Sequence, residues 1–215
     1  MADPPATLLA TLGDTSRSAG ERRMALRQLS TLAFNKDGFA PHRANFLQTL
    51  RDLTGDGDTE LQDAAFVALM QDRDSLAENL LIQGLQNPSQ AVVPAAVALE
   101  LLRLDPHAAT ATVARDVLTN SADPNERAQA AHLLAADSTA ASLLLALLVD
   151  KTESAAVRQA AAIGLRGIDE ADLTAAARAI VADTTDDWAV RAICRTLLTL
   201  LLPDEFDFDD EDALG

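Results

Sequence analysis

Four arginines, Arg22, Arg127, Arg158 and Arg191, recur at one register of a repeated motif. A guanidinium is a flat fork of five donors with no acceptor, so a periodic set of them has two uses. It can bind carbonyls and acids of its own chain, or it can offer forks to the carboxylates of a partner. Asp123 stands four residues before Arg127 and Asp187 four before Arg191. That spacing puts acid and base on one helix face and favours an internal ladder. Arg166 and Arg195 lie further along the same segments without such a local acid, and they are expected on a binding face. The residues assigned to partner contact are Arg158, Arg166, Arg191 and Arg195, with Phe206 and Phe208 of the C-terminal segment.

Other chemistry finds less support. His42, His107 and His132 show no metal-ligand spacing. His132 stands where a parallel segment has Ile163, as a core or interface histidine does. Residues 52–63 place oxygens at positions 1, 3, 5, 7, 9 and 12 of a calcium-type loop, with Gly57 at position 6. Position 12 is Asp63 rather than the longer Glu, and Asp58 is needed as a helix cap. There is no phosphate-cradling glycine loop and no nucleophile elbow. Cys194 is the single cysteine, expected as a buried apolar residue. The reading is therefore a chain without enzymatic activity, cofactor or metal.

The elements that must carry the arginines come from a repeat. Similar segments close on Leu29, Leu69, Leu99, Leu134, Leu165 and Leu198, at spacings of 40, 30, 35, 31 and 33 residues. A period of that size marks a stacked array. In the clearest copy, Val157, Ala160, Ala161, Gly164, Leu165 and Ile168 follow the spacing of one helical face. Asp123-Pro124-Asn125-Glu126 reads as a cap, a first-turn proline and an acid, and Asn87-Pro88-Ser89-Gln90 reads likewise. Pro94 is expected to kink its helix or delay its start. Second apolar helices are expected at 41–53, 74–85, 106–118, 138–149 and 170–182, with an opening helix near 5–12. Asp105 and Asp169 are the expected caps of two of them. The fold class expected is all-α, a right-handed solenoid of about six antiparallel helix pairs.

The run Val-Arg-x-Ala-Ala-x-x-Leu, clearest in VRQAAAIGL and in the DDWAVR opening at 186–191, resembles the HEAT repeat. The resemblance covers roughly residues 20–200. Glu21 and Glu126 replace the valine of the pattern, and Val92 replaces the arginine. The resemblance implies that the second helices line a concave surface that binds other proteins. Iron-dependent hydroxylases of this repeat class carry paired His-Glu dipeptides, which this chain lacks. Bilin lyases share the repeat, but an aromatic chromophore pocket finds little material in Trp188 and a few phenylalanines.

Charge narrows the partner class. The formal net charge is −16, which opposes general attraction to nucleic acid and to anionic membranes. A nucleic-acid-binding array would need a local arginine groove. Residues 203–215 form a separate acidic segment after the array of 1–202, with seven acids around Phe206, Phe208 and Leu214. Its alternation of acids and apolar residues suits docking, including self-association. No signal peptide and no membrane span is legible. The combined expectation is a cytoplasmic scaffold or adaptor that binds a protein or peptide.

Overall fold

A computed structural model of the chain describes residues 3–202; the side chain of Ala108 is outside that description. Among the described residues every regular element is helical, as the expected fold class requires. Their contacts fall into two compact units, Met1–Asp105 and a second from Pro106 onward.

The first unit holds α1 (Pro4–Gly13), α2 (Ala19–Ala33), the short α3 (Lys36–Phe39), α4 (Arg43–Leu53), α5 (Thr59–Gln71), α6 (Ser75–Gln86) and α7 (Ala95–Leu102). The second holds α8 (Ala108–Asn120), α9 (Pro124–Leu134), α10 (Ala141–Val149), α11 (Ala155–Leu165), α12 (Glu170–Ala182) and α13 (Trp188–Leu201). Pairs form between α1 and α2, α4 and α5, α6 and α7, α8 and α9, α10 and α11, and α12 and α13. Within the second unit α11 packs against both α9 and α13, so second helices stack on second helices. Each unit is thus a pile of three antiparallel pairs.

The six repeat leucines are the centre of this packing: each is exposed by 1% or less. Burying one leucine contributes about 1.5–3 kcal/mol, and neither helix of a pair could bury it alone. Alanine sets the spacing of the stacked helices, with Ala131 and Ala162 at 0% exposure. At Gly164 an added Cβ would sit 3.0 Å from Leu144 Cδ1, so a side chain there would require Leu144 to give way.

Local chemistry sets the helix starts. Ser18 and Glu21 form a reciprocal capping box on α2. Asp58, Asp74, Asp123, Ser154, Asp169 and Asp187 each accept first-turn amide bonds. Two expectations are corrected. Asn87-Pro88 opens only a 3-10 turn over Pro88–Gln90, and α7 starts after Pro94, whose ring delays the helix. The cap of α8 is His107 rather than Asp105; Asp105 pairs with Arg73 instead. Among the described residues no helix is long and apolar enough to cross a membrane.

Candidate partner-binding surfaces

The recurrent arginines build a ladder with a common plan. Arg22 on α2 donates from Nε to the Leu12 carbonyl at 3.0 Å and from a terminal nitrogen to Asp56 at 2.6 Å. Arg127 on α9 reaches the Leu118 carbonyl at 2.6 Å and pairs with Glu153. Arg158 on α11 reaches the Leu148 carbonyl at 2.9 Å and grips both oxygens of Asp186, at 2.6 and 2.8 Å. Each of these three guanidinium groups thus ties off the end of the preceding helix and takes an acid from the loop between the two helices of the next pair. Where the register holds Gln62, the amide donates only to the Thr54 carbonyl, at 2.7 Å.

The acids respond as this geometry demands. The Arg158 fork holds the Asp186 carboxyl below the usual carboxylate range, against the opposing effect of burial. Arg22 does the same to Asp56. The bond to Asp186 raises Arg158 in turn. Charge-assisted forks of this kind are strong and directional.

The local acids expected to hold the ladder do other work. Asp123 accepts the Asn125 amide at 2.8 Å, and Asp187 accepts those of Ala189 and Val190 at 2.8 and 3.1 Å. Both are helix caps. An amide in the first turn lies closer to them than a guanidinium one turn on.

The assigned contact residues separate accordingly. Arg158 is 2% exposed with its donors engaged inside the repeat, so it is a structural rung rather than a contact residue. Arg191 is half-buried and bonds the Val181 carbonyl at 3.3 Å, while its Nε is buried without a hydrogen-bond partner. Arg166 caps the end of α11, is exposed, and has no ion-pair partner among the described residues. Arg195 is also exposed and unpaired there, but at a different register of α13. Its counterpart in α11 is the buried Ala162, so Arg166 and Arg195 do not form one row. Phe206 and Phe208 lie outside the described residues.

The first unit holds a feature not read from the sequence. Phe34, Phe39 and Phe46 converge on a groove of about 320 Å³, with Ser30, Ala68 and Gln71 among its walls. The rings of Phe39 and Phe46 meet edge to face at 5.5 Å and are buried. Phe34, the C-cap of α2, is 88% exposed at the mouth. Lys36 is exposed beside it without an ion-pair partner among the described residues, and Arg43 is held by Asp72. The signal was the clustering of three of the chain's six phenylalanines within thirteen residues. It has no helical period because the three sit on α2's end, α3 and α4.

The remaining polar sites have internal uses. Asp56 of the calcium-type loop bonds Arg22, Asp58 caps α5, and Asp52 accepts from Gln48 at 2.9 Å. No group of three or more His, Cys, Asp or Glu able to hold a metal occurs among the described residues. His42 pairs with Asp3 at 3.2 Å, and His132 is half-buried on α9. A hollow of about 390 Å³ beside α8 contains Arg115, but that guanidinium is bound to Asp137 and Thr139. Cys194 is fully buried, and loss of solvent pushes its thiol up to about 11, well away from a reactive thiolate.

No family model and no curated protein matches the chain. Among solved structures it is similar to human deoxyhypusine hydroxylase in complex with glycerol, at 18% identity. The match covers 91% of this chain and 95% of that one, with a TM-score of 0.41. The similar protein is an enzyme, so the expectation of a chain without enzymatic activity is withdrawn, and likeness at this level assigns no activity in its place. Nothing of that enzyme's chemistry transfers to this chain at such a level of similarity.

Proposed function

We propose that the chain is a helical-repeat module that binds a segment of another protein, with the Phe34 groove taking a bulky apolar side chain of that segment. The observation that carries this reading is Phe34, whose ring is 88% exposed at the mouth of an aromatic-walled hollow. An apolar concavity with a polar rim suits a ligand side chain. Lys36 on the rim favours a carboxylate next to that side chain. The acidic balance of the chain disfavours more heavily acidic partners.

One buried side chain contributes about 1.5–3 kcal/mol, too little for a stable complex by itself. Contacts with other exposed residues of the first unit, such as Met24 and Leu32 on α2, would supply the rest. The test uses a labelled peptide carrying one Phe-Glu pair in a neutral background, followed by fluorescence anisotropy. Phe34→Ser and Lys36→Glu should each weaken binding, the first by about tenfold, which corresponds to about 1.4 kcal/mol. Both residues are exposed, so the helical content should not change. Unchanged affinity in both variants would sink the reading.

A further inference from the structure

The ladder is incomplete at α13. Arg22, Arg127 and Arg158 take their acids from 34, 26 and 28 residues further on. Among the described residues Arg191 has a carbonyl but no carboxylate, and its Nε is buried and unbonded there. The same incompleteness runs along the helix. Positions of α11 have counterparts 33 residues later on α13: Ala155 in Trp188, Gln159 in Ala192, Ala162 in Arg195. In α11 these positions are half-buried, half-buried and fully buried, with α13 packed against that helix. In α13 all three are exposed, Trp188 by 78%. Trp188, Arg191, Ala192 and Arg195 follow the i, i+3, i+4, i+7 spacing, so they form one stripe. It is the stripe that α11 buries or half-buries under α13.

We propose that the chain's own acidic segment, residues 203–215, docks along this stripe. Its carboxylates take the forks of Arg191 and Arg195, and Phe206 or Phe208 packs on the indole of Trp188. The chemistry is complementary on both counts: seven acids and two phenyl rings meet an exposed indole and two guanidinium groups that have no carboxylate partner among the described residues.

The reach is sufficient. Thirteen extended residues span up to about 43 Å, whereas Arg191 lies only about 16 Å back along the helix from Leu202. Being tethered, the segment meets the stripe at a high effective concentration. In doing so it supplies the acid that the loop of a next repeat supplies to the earlier rungs. The inference concerns a different surface from the Phe34 groove and does not depend on it.

Trp188 is the chain's one tryptophan, so its emission reads this site alone. The intact chain is compared with two variants, one carrying Phe206→Ser and Phe208→Ser, the other Asp207→Asn, Asp209→Asn, Asp210→Asn and Asp212→Asn. All these substitutions leave the repeat untouched. Both variants should shift Trp188 emission to the red and raise its quenching by acrylamide. High salt should move the intact chain the same way, because part of the contact is exposed charge. These differences should not depend on protein concentration. Identical emission and quenching in all three proteins would overturn the proposal. A shift that grows with concentration would overturn it too, and would assign the stripe to a second copy of the chain.

Discussion

Arg158 and Asp186 lie 28 residues apart in sequence and face each other as two parallel hydrogen bonds of 2.6 and 2.8 Å, both side chains almost wholly buried. The pair joins the second helix of one repeat to the loop of the next, while Nε of the same arginine holds the end of α10 through Leu148. One side chain therefore fixes three segments. Its direct effect is on how repeats stack, and it influences binding only by holding the neighbouring surfaces in place.

Removing one member of this pair leaves a buried charge without its counterpart, at a cost of about 3–5 kcal/mol. Asp186→Asn should lower the thermal midpoint sharply, as read by circular dichroism. Replacing both with apolar residues of similar volume, Arg158→Met with Asp186→Leu, should recover much of the loss, since no charge is then stranded. A single substitution that costs under about 1 kcal/mol would show that the rung is not structural.

Acid should weaken the stack from a predictable side. Asp186 and Asp56 are held below the ordinary carboxylate range by Arg158 and Arg22. A group depressed on folding stabilises fully above its unfolded value, about 3.9 for aspartate. That stabilisation is lost as the pH falls from there through the folded value. Urea midpoints should thus show no contribution from these two groups to any change between about pH 5 and 8, followed by a fall below about pH 4. Their neutral variants should show a shallower fall on the acid side. An equally steep fall would place the acid sensitivity elsewhere.

Two glycines should answer the same substitution with opposite signs. A Cβ on Gly20, exposed in the first turn of α2, meets nothing within 4 Å. Gly20→Ala should therefore stabilise by up to about 1 kcal/mol through backbone entropy. A Cβ on Gly84 would lie 3.0 Å from the Ala91 Cα, a backbone atom that cannot swing aside. Gly84→Ala should force α6 away from the loop before α7 and destabilise by about 1–3 kcal/mol. Chemical denaturation of the two variants checks both signs.

The helix pairs were legible because their causes are local. Periodic leucines, first-turn prolines and Asp or Ser caps act within one helix and its own turn, and α12 falls on the residues read for it, Glu170–Ala182. Pro94 acts through its own ring and delayed α7 as read. Where two local signals competed, the sequence could not arbitrate. Asp105 and His107 both precede α8, and the pairing of Asp105 with Arg73 goes with a cap made by His107.

What the tertiary structure alone decided is where each guanidinium goes. Arg127 has Asp123 one helical turn away and pairs instead with Glu153, 26 residues on, because stacking brings that loop over the arginine while Asp123 is spent on the Asn125 amide. Stacking also separates chemically equal positions: the register that is buried as Ala162 in α11 is exposed as Arg195 in α13. Sequence by itself determined that helices form, pair and bury their leucines, since those preferences are carried by residues a few positions apart. Which arginines are structural rungs and which stay open to a ligand depends on whether another repeat lies against them, and that contact is made between segments some thirty residues apart.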